Sequence, residues 1–219
     1  MACPRWVALV ILASLLSCSG MASRPKPERA GGALGRLPGP VQERVAAFLR
    51  AGQPDAAAAE MAGYAESLRW DNTSQRELAL ELYAEIAERF PQAPVAPEAM
   101  RSVGDILEYA ARYDEAFAQY RRVWAAYPGS PSARAAMDRV ASLTACMGRH
   151  REAAQAFAQL LDRYPADPRA SAWRVGSAEA LLRAGEREAA RSALKAIVAG
   201  PHGPARGKAV KLLEELGDQ

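Results

Sequence analysis

Residues 97–131 read PEAMRSVGDILEYAARYDEAFAQYRRVWAAYPGSP, and this stretch decides the fold. Its apolar residues recur at steps of three and four, which places them on one face of a helix. The stretch contains two such segments, and the second runs into a proline. Proline lacks the amide hydrogen that a continuing helix needs, so it marks an exit. The stretch therefore predicts two antiparallel helices.

The second segment recurs along the chain at a nearly fixed interval. Its pattern is a small residue followed, at steps of four, three and five, by two further apolar residues and a closing proline. The four copies are Ala116, Tyr120, Val123 and Pro128; Ala79, Tyr83, Ile86 and Pro91; Ala153, Phe157, Leu160 and Pro165; and Ala189, Ala193, Ala196 and Pro201. The closing prolines are 37, 37 and 36 residues apart. A period of this size indicates stacked helix pairs. A generic helical bundle with accidental periodicity is the alternative.

The first segment also recurs. Its copies are Met100, Val103, Gly104 and Leu107; Met137, Val140, Ala141 and Thr144; and Trp173, Gly176, Ser177 and Ala180. Together the two segments resemble the tetratricopeptide repeat (TPR), with three copies at roughly 97–130, 134–167 and 170–203. The resemblance implies an all-α solenoid of antiparallel helix pairs. An earlier helix around Met61 and Leu68 fits only if its turn is about two residues longer.

An aromatic-Pro-x-x-Pro exit follows three of the second segments, at residues 90–94, 127–131 and 164–168. This exit resembles a branch of TPR proteins that includes BamD, a lipoprotein of the β-barrel assembly machinery, and YbgF of the Tol–Pal system. Only three repeats match clearly, where BamD has more. No long heptad run appears near the N-terminus, so the trimerising coiled coil of YbgF is missing.

The N-terminus predicts export. An apolar run follows Arg5 and is about half the length of a membrane-spanning helix, which suits a signal peptide. It ends in Leu15-Leu16-Ser17-Cys18, which resembles the lipobox of bacterial lipoproteins and implies acylation of Cys18. An ordinary signal peptide cut near residues 20–22 is the alternative. The predicted location is the outer membrane, facing the periplasm, with a soluble periplasmic or secreted protein as the alternative.

The chain therefore divides into five predicted parts. Residues 1–18 form the signal peptide, 19–40 a disordered tether rich in Pro, Gly and Ser, and 41–73 two capping helices. Residues 74–203 hold the repeats, and residues 204–219 form a terminal capping helix with one polar, solvent-exposed face. Gly148 and Gly185 follow helix ends, where a left-handed residue is favoured.

Composition and motifs exclude several classes of function. The formal net charge is only +3. A nucleic-acid binder would need a basic stripe, and a chain so near neutral argues against one. No metal, nucleophile or phosphate-loop motif is present, so we expect no enzyme, no cofactor and no metal site. Cys146 is expected to be a small packed residue.

Binding is the predicted role. In a helix-pair solenoid the first helices line one side, and the TPR resemblance places a partner groove there. The groove residues it implies are Arg101, Asp105, Glu108, Tyr109, Asp138, Ser142 and Arg174. We expect a non-enzymatic scaffold for other envelope proteins or extended peptides. β-Barrel assembly is one setting, and a Tol–Pal coordinator or an accessory lipoprotein of a secretion or motility apparatus are alternatives. A solute- or glycan-binding module, using Trp124 and Trp173, is a rival of another class.

Overall fold

A computed structural model describes residues 32–200 and 203–217, and the regular structure of these two ranges is entirely helical. The all-α prediction is confirmed. A single 3₁₀ turn at Leu34–Arg36 precedes ten α-helices. They are α1 (Gly39–Arg50), α2 (Pro54–Leu68), α3 (Thr73–Arg89), α4 (Ala96–Tyr109), α5 (Tyr113–Ala126), α6 (Pro131–Cys146), α7 (His150–Arg163), α8 (Ala170–Arg183), α9 (Arg187–Ala199) and α10 (Pro204–Glu215).

The helices stack in chain order. Each helix packs on the next one, and α4 also contacts α6 while α8 contacts α10. In these two places the first helices of successive pairs are therefore neighbours. This is the repeat solenoid that the sequence predicts.

The repeat is more regular than its prolines suggest. The helices α5, α7 and α9 begin at Tyr113, His150 and Arg187, at intervals of 37 residues. The predicted packing residues of α5 and α7 are buried. The predicted set in α9 was wrong by one position, because Ala190, Leu194 and Ile197 are the buried residues. Pro201 comes one residue earlier than a 37-residue period requires. The packing positions predicted by their spacing from this proline are therefore displaced by one residue.

The exits of successive repeats are tied to each other by hydrogen bonds to proline carbonyls. The Tyr127 hydroxyl donates to the carbonyl oxygen of Pro91 at 3.0 Å. Arg163 donates to the carbonyl oxygen of Pro128, also at 3.0 Å. Each bond joins residues that lie about one repeat apart, so the aromatic-Pro-x-x-Pro exit fixes the spacing of neighbouring helix pairs.

The turn within each of the last three helix pairs contains a residue with positive φ. Gly148 and Gly185 have φ values of 77° and 80°, as their positions after helix ends predict. The equivalent residue of the α4–α5 turn is Ala111, with φ of 58°. An L-residue in the left-handed region is strained, because its Cβ approaches the following carbonyl oxygen.

The turn between α2 and α3 departs from this pattern. Four residues, 69–72, separate these helices, whereas three separate the later pairs. The Asn72 side chain accepts a hydrogen bond from the amide of Gln75 and so caps α3. The helix α3 starts early and has 17 residues, where α5 and α7 have 14. The longer turn brings Trp70 to the edge of the stack.

The apolar core is unevenly divided along the stack. One continuous cluster extends from Ala33 to Leu143, across the helices α1 to α6. Three smaller clusters follow, and they centre on Trp173 and Phe157, on Ala153 and Ala180, and on Leu194 and Leu213. The N-terminal half therefore shares one core, and the C-terminal half is held by separate contacts between neighbours.

The predicted tether is wrong in its last part. Ala33 and Leu37 are each 5% exposed and belong to the core. The amide of Leu34 donates to a carboxylate oxygen of Glu85 at 3.1 Å, and Arg36 forms an ion pair with Glu81. The end of this segment is therefore held against α3 by polar contacts, although its Gly and Pro content predicted a disordered chain.

The export predictions concern residues outside the described ranges. The signal peptide, Cys18 and residues 19–31 of the tether are all among them. Among the helices that are described, none has both the length and the apolar character required to span a bilayer.

Candidate protein-docking site

Three exposed aromatic side chains meet at one edge of the stack. Trp70 lies in the α2–α3 turn, Tyr109 ends α4, and Tyr113 begins α5. Their exposed fractions are 55%, 60% and 51%. Elsewhere in the described ranges, the only other exposed large apolar side chain is Val210, at 37%. Since large apolar side chains are often buried, their grouping makes this edge a candidate interaction surface.

The rings form the rim of a cleft of about 460 Å³, which we call the Tyr109 cleft. Its lining consists of Trp70, Arg101, Asp105, Glu108, Tyr109, Tyr113, Tyr120 and Arg139. The ring centroids of Trp70 and Tyr109 are 5.4 Å apart in an edge-to-face arrangement. The guanidinium of Arg69 lies 4.6 Å from the Trp70 ring, and that of Arg76 lies 4.6 Å from the Tyr109 ring. These contacts restrict the orientation of the Trp70 and Tyr109 rings.

The floor of the cleft is a hydrogen-bonded charge network centred on Asp105. Its carboxylate accepts bonds from Arg69 at 2.6 Å, from Arg101 at 2.5 Å and from the Tyr120 hydroxyl at 2.7 Å. The Tyr120 hydroxyl also lies 3.0 Å from Glu108. Burial, together with these two carboxylates, raises the pKa of Tyr120, which therefore stays protonated and keeps donating.

The network also joins successive repeats. Arg139 of α6 forms an ion pair with Glu108 of α4. One repeat further along, Asp138 of α6 accepts a bond from the buried Trp173 indole at 2.7 Å. The same carboxylate accepts from Arg169 at 2.7 Å. These polar links therefore hold the first helices in register.

The seven predicted groove residues do not form one site. Arg101, Asp105, Glu108 and Tyr109 meet at the Tyr109 cleft. Asp138 instead lies at the α6–α8 contact, and the Ser142 hydroxyl donates to the Asp138 backbone carbonyl. Arg174 lines a separate depression between α8 and α9. Of the four predicted residues at the cleft, Tyr109 is the most exposed. The other three are charged and pair with one another or with neighbouring arginines. Binding by any of the seven stays a prediction.

Four residues of the cleft were not predicted from the sequence. They are Trp70, Tyr113, Tyr120 and Arg139. Trp70 and Tyr113 carried a signal, because both are aromatic residues in or beside turns and outside the packing positions of the repeat. Tyr120 had been assigned to packing alone. Arg139 contacts Glu108 across two repeats, and spacing within one repeat does not reveal this.

The described ranges hold no group of three or more His, Cys, Asp or Glu side chains placed to bind a metal ion. The Tyr109 cleft has an aromatic rim, hydroxyl and indole donors, and a floor whose charges are already paired.

The comparisons with known proteins agree with this architecture. Two models of the tetratricopeptide repeat match the chain, over residues 71–131 and 147–216. The chain is therefore a protein built from tetratricopeptide repeats. Repeats of this kind typically serve as non-enzymatic scaffolds that bind protein partners or peptides. A search of the curated proteins finds no match to this chain.

Solved structures with a similar fold include repeats of a Podosopora anserina protein assigned as a kinesin light chain, described as nearly identical TPR-like repeats. This structure is 18% identical and has a TM-score of 0.46, covering 73% of this chain and 92% of that one. A single-substitution variant of the same protein is 17% identical and has a TM-score of 0.45 over the same shares.

Proposed function

We propose that this protein is a lipid-anchored interaction scaffold of the bacterial cell envelope and that the Tyr109 cleft is a docking point for a protein partner. The observation that carries the docking role is the grouping of Trp70, Tyr109 and Tyr113, exposed, on a stack of packed helices. Aromatic residues of this kind dominate the energy of protein interfaces, since they bury large area at little cost in side-chain entropy.

The envelope setting rests on the N-terminal sequence. The lipobox-like residues 15–18 would place the acyl chains on Cys18, and residues 19–31 would link that anchor to the repeats. The aromatic-Pro-x-x-Pro exits support kinship with the branch that contains BamD and YbgF. We therefore propose outer-membrane β-barrel assembly as the first setting, with the Tol–Pal system or a secretion or motility apparatus as alternatives.

The solute- or glycan-binding alternative loses its predicted residues. Trp173 is 2% exposed and donates its indole hydrogen to Asp138. Trp124 is half-buried, with the Arg163 guanidinium 4.6 Å from its ring. Neither side chain lines the Tyr109 cleft, so the two tryptophans predicted for this function do not form a binding site there.

A crosslinking experiment in intact cells tests both parts of the proposal. A photo-crosslinking amino acid replaces Tyr109 in the tagged full-length chain, and a matched variant carries it at the exposed Lys211 of α10. We expect discrete crosslinked partners from position 109 and not from 211. Partners from the β-barrel assembly machinery, or from Tol–Pal, would select between the settings. The same products from both positions would refute docking at the cleft.

The anchor is tested in parallel with Cys18→Ser. We expect this variant to leave the membrane fraction while it keeps its helical circular-dichroism spectrum. A Cys18→Ser protein that still sediments with membranes would contradict the lipid anchor, whatever the crosslinking shows.

A further inference from the structure

We propose that the depression beside Arg174 is a second docking point, which binds a partner segment that carries an apolar side chain next to an aspartate or glutamate. This inference goes beyond the Tyr109 cleft, since the two sites share no lining residue. Two properties of the depression carry it, namely side chains smaller than their equivalents in the preceding repeat and positive charge without a matching carboxylate.

The depression, which we call the Arg174 depression, has a volume of about 510 Å³ and lies among α7, α8, α9 and α10. Its apolar lining includes Leu161, Ala193, Ala196 and Ile197. Binding pockets commonly have a volume of several hundred Å³, mostly apolar walls and a few polar groups that orient the ligand. The Arg174 depression has both the size and the composition of such a pocket.

The preceding repeat has larger side chains at the equivalent positions. There Trp124 packs against the cluster that contains Met137, and the Arg163 guanidinium lies 4.6 Å from the Trp124 ring. Met137 is 6% exposed. The positions 37 residues further along hold Leu161, Arg174 and Gly200, and all three line the depression. The last repeat therefore lacks the side chains that pack together in the repeat before it.

The charge of the depression is positive. Arg174 and Arg206 line it, and within the described ranges no carboxylate does. Arg174 is exposed and forms no hydrogen bond or ion pair with any residue of those ranges. A free guanidinium binds a carboxylate through two parallel hydrogen bonds, so the charge complementary to this site is that of an aspartate or glutamate.

The two walls of the depression differ in character. Ser171, Arg174 and Ser177 are three residues apart on α8 and form a polar wall. The lining residues of α9 include Ala193 and Ile197 and form an apolar wall. Arg174 and Ser171 are exposed, so the depression is accessible at the protein surface. A partner segment fits both walls when its apolar side chain lies against α9 and its carboxylate reaches Arg174.

Peptide titration with the full-length chain tests this chemistry. The probe is a short fluorescent peptide with alternating leucine and glutamate. One counterpart has glutamine in place of each glutamate, and the other has serine in place of each leucine. We expect fluorescence anisotropy to show about tenfold tighter binding of the leucine–glutamate peptide than of either counterpart, because each counterpart loses one of the two contacts. Equal binding of this peptide and either counterpart would overturn the inference.

Three variants locate the binding. Arg174→Met introduces the residue of the preceding repeat and should weaken binding about tenfold or more, without lowering the urea midpoint of unfolding. Leu161→Trp likewise restores a residue of the preceding repeat, and should weaken binding severalfold by filling the space while Arg174 stays in place. Arg183→Met makes the matched change at the other end of α8, outside the depression, and should leave binding unchanged.

The contrary results are equally specific. Unchanged binding in Arg174→Met or in Leu161→Trp would contradict the assigned site, as would an equal loss in Arg183→Met. Tyr109→Ala should bind the peptide as the unaltered chain does, and a loss there would assign the peptide to the Tyr109 cleft instead. Crosslinking at position 109 and this titration therefore report on different surfaces, and each proposal can fail alone.

Discussion

The close contact between Gly104 of α4 and Tyr120 of α5 allows a direct test of how the two helices of a repeat pack. A Cβ added at Gly104 would lie 2.6, 2.8 and 3.0 Å from three ring atoms of Tyr120. The ring has no room to withdraw, since Tyr120 is fully buried and its hydroxyl is held by Asp105 and Glu108. Gly104→Ala should therefore force the helices α4 and α5 apart.

The magnitude follows from two opposing effects. Alanine in a helix interior is favoured over glycine by about 0.5–1 kcal/mol. Overpacking of a filled core costs about 1–3 kcal/mol. Weakening the Tyr120 hydroxyl bonds to carboxylates adds to the cost, because such bonds contribute about 1.5–3 kcal/mol. We therefore expect Gly104→Ala to lower the free energy of unfolding by about 1–3 kcal/mol.

Gly63 provides the matched control. It lies inside α2, is exposed, and a Cβ there would meet no atom within 4 Å. Gly63→Ala should raise the free energy of unfolding by about 0.5–1 kcal/mol, because only helix propensity acts. Urea denaturation followed by circular dichroism measures both variants. A Gly104→Ala midpoint equal to or above that of Gly63→Ala would refute the packing argument.

Three further predictions concern single residues. Ala111→Gly should raise the free energy of unfolding by about 0.5–1 kcal/mol, because glycine relieves the positive φ; a lower urea midpoint would contradict this. Hydrogen bonding to Arg101 lowers the pKa of Glu98 below its ordinary value of 4.5, despite partial burial. The ionised Glu98 therefore stabilises the fold at pH values above 4.5, and this contribution is lost as the pH falls through the lowered pKa of the folded state. Glu98→Gln should flatten the dependence of stability on pH in that acid range, and an unchanged profile would count against the Arg101 contact. Asp138→Ala leaves the buried Trp173 indole without an acceptor and should cost about 1–3 kcal/mol in thermal unfolding, with an unchanged melting temperature as the contrary result.

The helix pairs were predictable because packing in a solenoid is local. Each repeat contacts its neighbours, so a 37-residue period in small and large apolar residues records the geometry directly. The period failed only in α9, where an early proline shifted the count by one residue. Cys146 was predicted as packed and is exposed, because it ends α6 at the edge of the stack.

The cleft was only partly predictable because it lies where the repeat is interrupted. The groove prediction assumed that first-helix positions free of packing would face a partner. In the structure, Asp105, Glu108 and Asp138 use that freedom to bond across repeats instead. Their partners lie about 31 to 36 residues away, such as Arg69 for Asp105 and Trp173 for Asp138. The spacing of residues within one repeat cannot predict these contacts between repeats.

The uneven division of the apolar core has a consequence for how the chain opens. Local unfolding begins where few buried contacts must be broken at once. The amides of α9 and α10, whose core is a small separate cluster, should exchange with deuterium earlier than those of α3 and α4. A protease would cut the C-terminal end first, while the Tyr109 cleft, anchored in the continuous cluster, would survive as the most durable part of the molecule.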